Sequence, residues 1–193
     1  MAALSQRFDD ALVWAARRHV DQTRHNTRTP YISHLLATAA IVLEEGGDEE
    51  LAIAALLHDV LEDQPTARAE LRARFGAAVY QVVDDCTDAD LAARAGSVWH
   101  ERKVIHLRRM TGFDDRSLLV IAADKVCSLQ SLLDDLERFG PGVFASSVRS
   151  GSELLWSYRE VLGVLAPRLG ERPVLQRLRR LVGDFAAHQA LCR

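Results

Sequence analysis

Apolar side chains recur every three or four positions along almost the whole chain, as at Phe8, Leu12 and Ala15 with His19 following, and no stretch alternates with period two. This pattern predicts an all-α fold. Helix ends are marked by capping and breaking residues. A helix that begins after Pro30 closes at Gly46-Gly47, and Asp48 is placed to cap the next one, DEELAIAALLHDVLED. Gln64-Pro65-Thr66 breaks the chain, Thr66 can cap TARAELRARF up to Gly76, and a short helix runs from about Ala77 to Asp85. The segment Thr87 to Gly96 reads as a loop. Ser97 can cap SVWHERKVIHLRRM up to Gly112, and Asp114 or Asp115 can cap the long RSLLVIAADKVCSLQSLLDDLERF up to Gly140. A helix from about Ser146 to Leu169 carries Pro167 near its end, and Pro173 suits the first turn of a final helix through Phe185.

With 193 residues and neither an internal repeat nor a long linker, the chain is expected to be a single domain, 1–193, of about eight to nine helices. Its 48% hydrophobic and 26% charged residues are those of an ordinary globular protein, so it should bury a core unaided. A formal net charge of -3 supplies no basic field to draw the chain onto nucleic acid. An anionic substrate must therefore meet a local basic patch or a metal. Cys86, Cys127 and Cys192 form no CxxC, which argues against a disulfide framework or a structural zinc site. The N-terminus carries acids where a secretory signal needs bases, and no apolar run approaches the ~18–20 residues of a membrane span. A cytoplasmic protein without a membrane partner is the expectation.

The helix LAIAALLHDVLED is apolar nearly all round until His58, Asp59, Glu62 and Asp63 arrive together at its end. On an unbroken helix, four-residue spacing stacks His58 over Glu62 and Asp59 over Asp63. Carboxylates on an apolar element need a cation or solvent, because an unpaired buried charge costs several kcal/mol. One helical turn cannot surround a metal, and two further candidates sit in equally apolar settings: His34 in TPYISHLLATAA and Asp124 in LLVIAADKVCSL. Two imidazoles and two carboxylates would leave positions open on an octahedral ion such as Mn²⁺ for water and a phosphate oxygen.

This order, a His, an adjacent His-Asp pair and a distant Asp on a helix, resembles the HD superfamily of metal-dependent phosphohydrolases. TPYISH, HDVLED, DDCTD, HLRRM and AADKVCSLQSL in succession further resemble the hydrolase domain of the RelA/SpoT family and its stand-alone small alarmone hydrolases. The likeness covers a core of about residues 8–165, with the C-terminal helices, 146–193, packing on it. It implies an HD-type helical bundle, bound Mn²⁺ and removal of the 3′-pyrophosphate from guanosine tetra- or pentaphosphate in the stringent response. It implies His34, His58, Asp59 and Asp124 as ligands, and Glu62 and Asp63 as the pair that orients or deprotonates the attacking water. Arg24 matches a position that contacts the nucleotide. Ile121 stands where the family usually has lysine and Ser128 where it has asparagine, so polar groups expected to face the nucleotide are lost there; His25, in place of the usual lysine, is a weaker and pH-dependent cation, and Arg24, His25 and Ser128 are the substrate-binding positions that the resemblance implies. Another nucleotide, or a phosphorylated nucleotide cofactor, is the alternative substrate; a nucleotide sensor that no longer catalyses is a further one, against which the intact Glu62 and Asp63 speak. A homo-oligomer is compatible with the sequence.

Other features invite plainer readings. Arg102, Lys103, Arg108 and Arg109 suit a solvated helix face better than a phosphate-binding stripe. Cys127 suits a core thiol, and Trp14, Trp99 and Trp156 suit packing, while Tyr31 and Trp99 lie where they can border a base.

Overall fold

Residues 51–57, apolar on every face of a helix, form the centre of the molecule: Leu51 is 3% exposed and Ala52 to Leu57 are 0%. A helix without a polar face has to be surrounded, and this one, α3 (Glu49–Leu57), packs against α1 (Gln6–Arg18), α2 (Ile32–Glu44), α6 (Ala77–Cys86) and α9 (Asp115–Phe139). Each Leu or Ile so buried contributes about 1.5–3 kcal/mol. The structure is a computed structural model that describes residues 4–24, 27–94, 97–144 and 149–191. The remaining elements are α4 (Val60–Asp63), α5 (Arg68–Phe75), α7 (Leu91–Arg94), α8 (Trp99–Met110), a 3₁₀ turn (Gly140–Phe144), α10 (Gly151–Leu169) and α11 (Pro173–Leu191). Among the described residues no strand forms, and the one antiparallel bridge joins Thr23 to Pro30. The all-α expectation holds.

Capping explains most boundaries. Asp48 accepts the Leu51 N–H at 2.9 Å and Asp114 the Ser117 N–H at 2.8 Å, as their positions before apolar runs predict. Gly46 ends α2 with φ +84°, and a Cβ on Gly47 would lie 2.6 Å from Val42 Cγ1 and 2.8 Å from its carbonyl oxygen. The pair is glycine because one position needs the left-handed region and the next has no room.

Several boundaries differ from the sequence expectation. DEELAIAALLHDVLED is not one helix: α3 stops at Leu57, and His58 and Asp59 form a turn, with Asp59 at φ −95° and ψ −3°. There the His58 ring Nδ1–H donates to the Ala55 carbonyl at 2.8 Å, while the Asp59 carbonyl accepts the N–H groups of Glu62 and Asp63 and so starts α4. The stacking of His58 over Glu62 and Asp59 over Asp63, expected of an unbroken helix, gives way to a kinked corner. Thr66 does not cap α5; Ala67 holds that position without a side-chain bond. The loop expected at Thr87–Gly96 contains α7, although Ala95 and Gly96 lie outside the described residues. Ser97 does not cap α8 either: its hydroxyl donates back to the Ala93 carbonyl at 2.8 Å. The helix expected from Ser146 begins at Gly151, where Ser150 and Glu153 form a capping box, and residues 145–148 lie outside the described residues. The final helix continues past Phe185 to Leu191.

At 25 residues α9 is the spine. It touches α2, α3, α6, α10 and α11. A side chain at its middle is therefore held from several directions, and Asp124 stands there.

Candidate metal centre

Three elements deliver four side chains to one point. His34 comes from the first turn of α2, His58 and Asp59 from the corner between α3 and α4, and Asp124 from the middle of α9. The imidazole side chains are 1% and 2% exposed, and the carboxylates 17% and 13%. His34 Nε2 lies 3.2 Å from His58 Nε2, 3.4 Å from Asp59 Oδ2 and 3.3 Å from Asp124 Oδ1. His58 Nε2 lies 3.2 Å from Asp59 Oδ2 and 3.7 Å from Asp124 Oδ1. The donor atoms of His34, His58 and Asp59 all lie within 4.8 Å of one another, and Asp124 joins through its contacts to both rings.

The donor set fits a divalent cation. Such spacings are those of atoms sharing one ion through bonds of about 2.0–2.2 Å. The Nδ1–H bond from His58 to Ala55 fixes the tautomer that turns the Nε2 lone pair inward, the usual second contact of a ligating histidine. Without a cation, protons must take its place. Burial disfavours a charged His58, yet the Asp59 and Asp124 carboxylates outweigh it and hold the imidazole well above its ordinary range. Asp59 and Asp124 go the other way. Against the penalty of burial, His58 and His34 pull Asp59 well below the usual carboxylate range, and Lys125 with both histidines does the same to Asp124.

A further layer holds the ligands. Tyr31, near which a base had been expected, instead donates its hydroxyl to Asp59 Oδ2 at 2.5 Å, and burial followed by the Asp59 charge pushes its phenol far up. Lys125 Nζ donates to Asp124 Oδ2 at 2.6 Å and Ser128 Oγ to Asp124 Oδ1 at 3.1 Å. Ser128, expected at the substrate, is thus engaged by a candidate ligand, and Ile121 is packed in the core at 3% exposure. Neither lines the cavity of about 440 Å³ that opens on His34 between α2 and α9. Arg24 does, beside Cys127, Ser131 and, from α11, Arg177. His25 lies outside the described residues.

Glu62 and Asp63 project from α4. Glu62 accepts the Asp88 N–H at 2.8 Å and Arg94 Nη1 at 3.2 Å; Asp63 accepts the same Nη1 at 2.7 Å and Gln22 Nε2 at 2.8 Å. Burial raises the Glu62 carboxyl to about 7, with Lys103 opposing and the Asp88 and Asp59 charges adding to the rise. The basic run on α8 is a solvated face only in part: Arg108 and Arg109 are exposed, while Arg102 is buried and Lys103 half-buried. Lys103 pairs with Asp88 at 2.7 Å, Arg102 is buried with Nη1 on the Ser97 carbonyl, and Arg109 donates to the Thr87 carbonyl at 3.1 Å. Trp14 packs against Phe75, and Trp99 meets Trp156 edge to face rather than bordering the cavity.

Sequence reasoning passed over Arg94, Gln22 and Lys125. Lys125 adjoins Asp124 and was open to notice; Arg94 and Gln22 carry no local signal, since their partners lie 31 to 41 residues away.

An HD domain family model matches residues 11–146. The chain is 35% identical over 126 residues to the Xenopus tropicalis guanosine-3′,5′-bis(diphosphate) 3′-pyrophosphohydrolase MESH1, covering 64% of this chain and 68% of that protein. It is 33% identical over 169 residues to the Danio rerio MESH1, covering 86% and 88%. A solved structure described as a metazoan orthologue of SpoT that hydrolyses ppGpp superposes with a TM-score of 0.75 at 25% identity, over 95% of this chain and 98% of that one. The chain belongs to the HD-domain family, as a homologue of the MESH1 and SpoT-type hydrolases.

Proposed function

We propose that this chain is a divalent-metal-dependent guanosine-3′,5′-bis(diphosphate) 3′-pyrophosphohydrolase, with Mn²⁺ as the ion and His34, His58, Asp59 and Asp124 as its ligands. The observation that carries the reading is that one oxygen each of Asp59 and Asp124 lies within 3.2–3.7 Å of both the His34 and His58 Nε2 atoms, beside a cavity that reaches His34 and Arg24. The relatives named for this activity support it. When bound, the ion polarises a phosphate oxygen and lowers the pKa of a water molecule at the site.

The chain's own groups do the rest. Glu62, raised to about 7 by burial, is ionised over part of the neutral range and still basic enough to take a proton from the attacking water. The water oxygen forms the new bond to the phosphorus attached at the ribose 3′ oxygen, and the bond to that oxygen breaks. The products are the nucleoside diphosphate and pyrophosphate, and the 3′ oxygen leaves carrying a proton. Arg24, its guanidinium 6.0 Å from the Tyr31 ring centre, supplies positive charge and a flat face toward the nucleotide. Regulation of the stringent response through alarmone removal follows from this activity.

A second reading, hydrolysis of another nucleotide or a phosphorylated nucleotide cofactor, is favoured by one observation. Ser128 is engaged by Asp124 and Ile121 is in the core, so neither offers a polar contact to the alarmone. An assay of the Mn²⁺-loaded protein over a nucleotide panel decides between them, with Asp59→Ala and Glu62→Ala as controls. Pyrophosphate release from guanosine tetraphosphate, lost in both controls, is the expected result. Release from a different panel member with the alarmone left intact selects the second reading, and metal-loaded protein that binds nucleotide without turnover selects a sensor.

A further inference from the structure

Two adjacent carboxylates, Glu62 and Asp63, are joined by a single guanidinium nitrogen. Arg94 Nη1 lies 2.7 Å from Asp63 Oδ1, 3.2 Å from Glu62 Oε2 and 3.4 Å from the Glu62 carbonyl oxygen. The rest of each carboxylate's surroundings differs. Asp63 Oδ2 accepts from Gln22 Nε2 at 2.8 Å, and Gln22 Oε1 is held in turn by Gln64 Nε2 and His19 Nδ1, both at 2.7 Å. His19 is 2% exposed and stacks on Tyr31 at 5.2 Å, so this arm of the network ends in packed side chains rather than at the cavity. Among the described residues, the Glu62 carboxylate has only the longer contact to Arg94 and one backbone N–H, from Asp88, whose side chain is fixed by Lys103 at 2.7 Å.

Resting on the proposed role of Glu62, we propose that Arg94 is the positioning residue that orients the Glu62 carboxylate, and that Asp63 serves to anchor Arg94 instead of accepting a proton itself. The charged contact to Asp63 is the shorter of the two and is backed by a half-buried amide network, so it fixes the guanidinium; the weaker contact to Glu62 then sets a direction. A carboxylate has about four lone-pair positions, and one contact on each oxygen leaves Glu62 with sites for the water proton. Arg94 also docks α7 on α4, because Leu91, Ala92 and Ala93 are exposed while Arg94 is half-buried.

The experiment is a double-mutant cycle on the full chain with Arg94→Gln, Asp63→Asn and the pair combined. Each single change is expected to lower kcat by about 100-fold with KM little altered, because a misdirected base slows chemistry without weakening binding. The combined variant should be no slower than the slower single one, since both act through one guanidinium. A combined loss near the product of the two, about 10⁴-fold, shows Asp63 acting on its own and overturns the proposal. An unchanged kcat in Arg94→Gln overturns it as well. Arg94→Lys, which keeps the charge with a different reach, replaces the glutamine variant if that one does not fold. If the wild-type protein leaves the alarmone intact, the substrate reading fails alone, and the thermal midpoints of the metal-free proteins carry the cycle. Midpoint losses that couple support the anchor; losses that simply add overturn it.

Discussion

Glu62, half-buried, and His106, buried, are shifted in opposite directions, and both shifts predict losses on the acid side. As a base, Glu62 works ionised, and its pKa of about 7 places the acid limb of kcat/KM there, activity rising as pH rises through it. After burial, the largest influences are Lys103, which lowers this value, and Asp88, which raises it. Lys103→Met should therefore move the limb to higher pH and Asp88→Asn to lower pH in a pH–rate profile. Limbs that stay in place would separate Glu62 from the proton transfer. His106 is 8% exposed and donates Nε2–H to the Asp85 carbonyl at 2.7 Å, and burial lowers it to about 4. Its unfolded pKa is higher, near 6.5, so the unfolded chain binds the extra proton, and this stability is lost as pH falls from 6.5 to 4. The loss amounts to about 3 kcal/mol. His106→Gln keeps a donor without titrating, and urea melts from pH 7 to 4 should show it less sensitive to acid than the parent. The same scale explains what the sequence could reveal. His34 and Asp124 were legible because a charge inside an apolar run is visible locally, whereas Tyr31, Arg94 and Gln22 are ordinary residues until folding brings Asp59, Glu62 and Asp63 to them.

Helix identity followed from apolar spacing and caps, while corners did not, because a corner is decided by contacts that spacing does not contain. The kink between α3 and α4 depends on the His58 ring reaching the Ala55 carbonyl, and α7 depends on Arg94 finding α4. Local signals of the readable kind can be tested on two glycines. A methyl at Gly47 meets Val42 Cγ1 at 2.6 Å and the Val42 carbonyl at 2.8 Å, the second of which is backbone. Gly163 lies exposed within α10 with nothing inside 4 Å. Gly47→Ala should destabilise by about 1–3 kcal/mol as overpacking does. Gly163→Ala should stabilise by about 0.5–1 kcal/mol through helix propensity and the unfolded state. Chemical denaturation of both variants reads the signs directly, and a Gly47→Ala variant as stable as the parent or more so would remove close approach as the reason for glycine between α2 and α3.

Across the whole molecule, the candidate site ties together elements distant in sequence: α2 and the α3–α4 corner bring three candidate ligands, and α9, braced by α10 and α11, brings the fourth. The family match ends at residue 146, yet α11 packs on α9 and places Arg177 on the cavity wall, so the last helices contribute to the same cavity. An ion that joins these elements binds the folded chain alone, and it should raise the stability of the whole. At Mn²⁺ a hundredfold above its dissociation constant the gain is about 2.7 kcal/mol. For a chain of this size that is about 5–10 °C in thermal midpoint. His58→Ala and Asp124→Ala should abolish the rise, and a chelator should reverse it in the parent. The pH dependence has a definite sign. In the metal-free protein Asp59 and Asp124 hold a proton on His58, so the ion must displace that proton to bind, and its affinity should weaken as pH falls. Calorimetric titration of Mn²⁺ in buffers of different ionisation enthalpy measures the proton released. A binding event that releases none would place the ion away from these imidazoles, whatever its effect on the thermal midpoint.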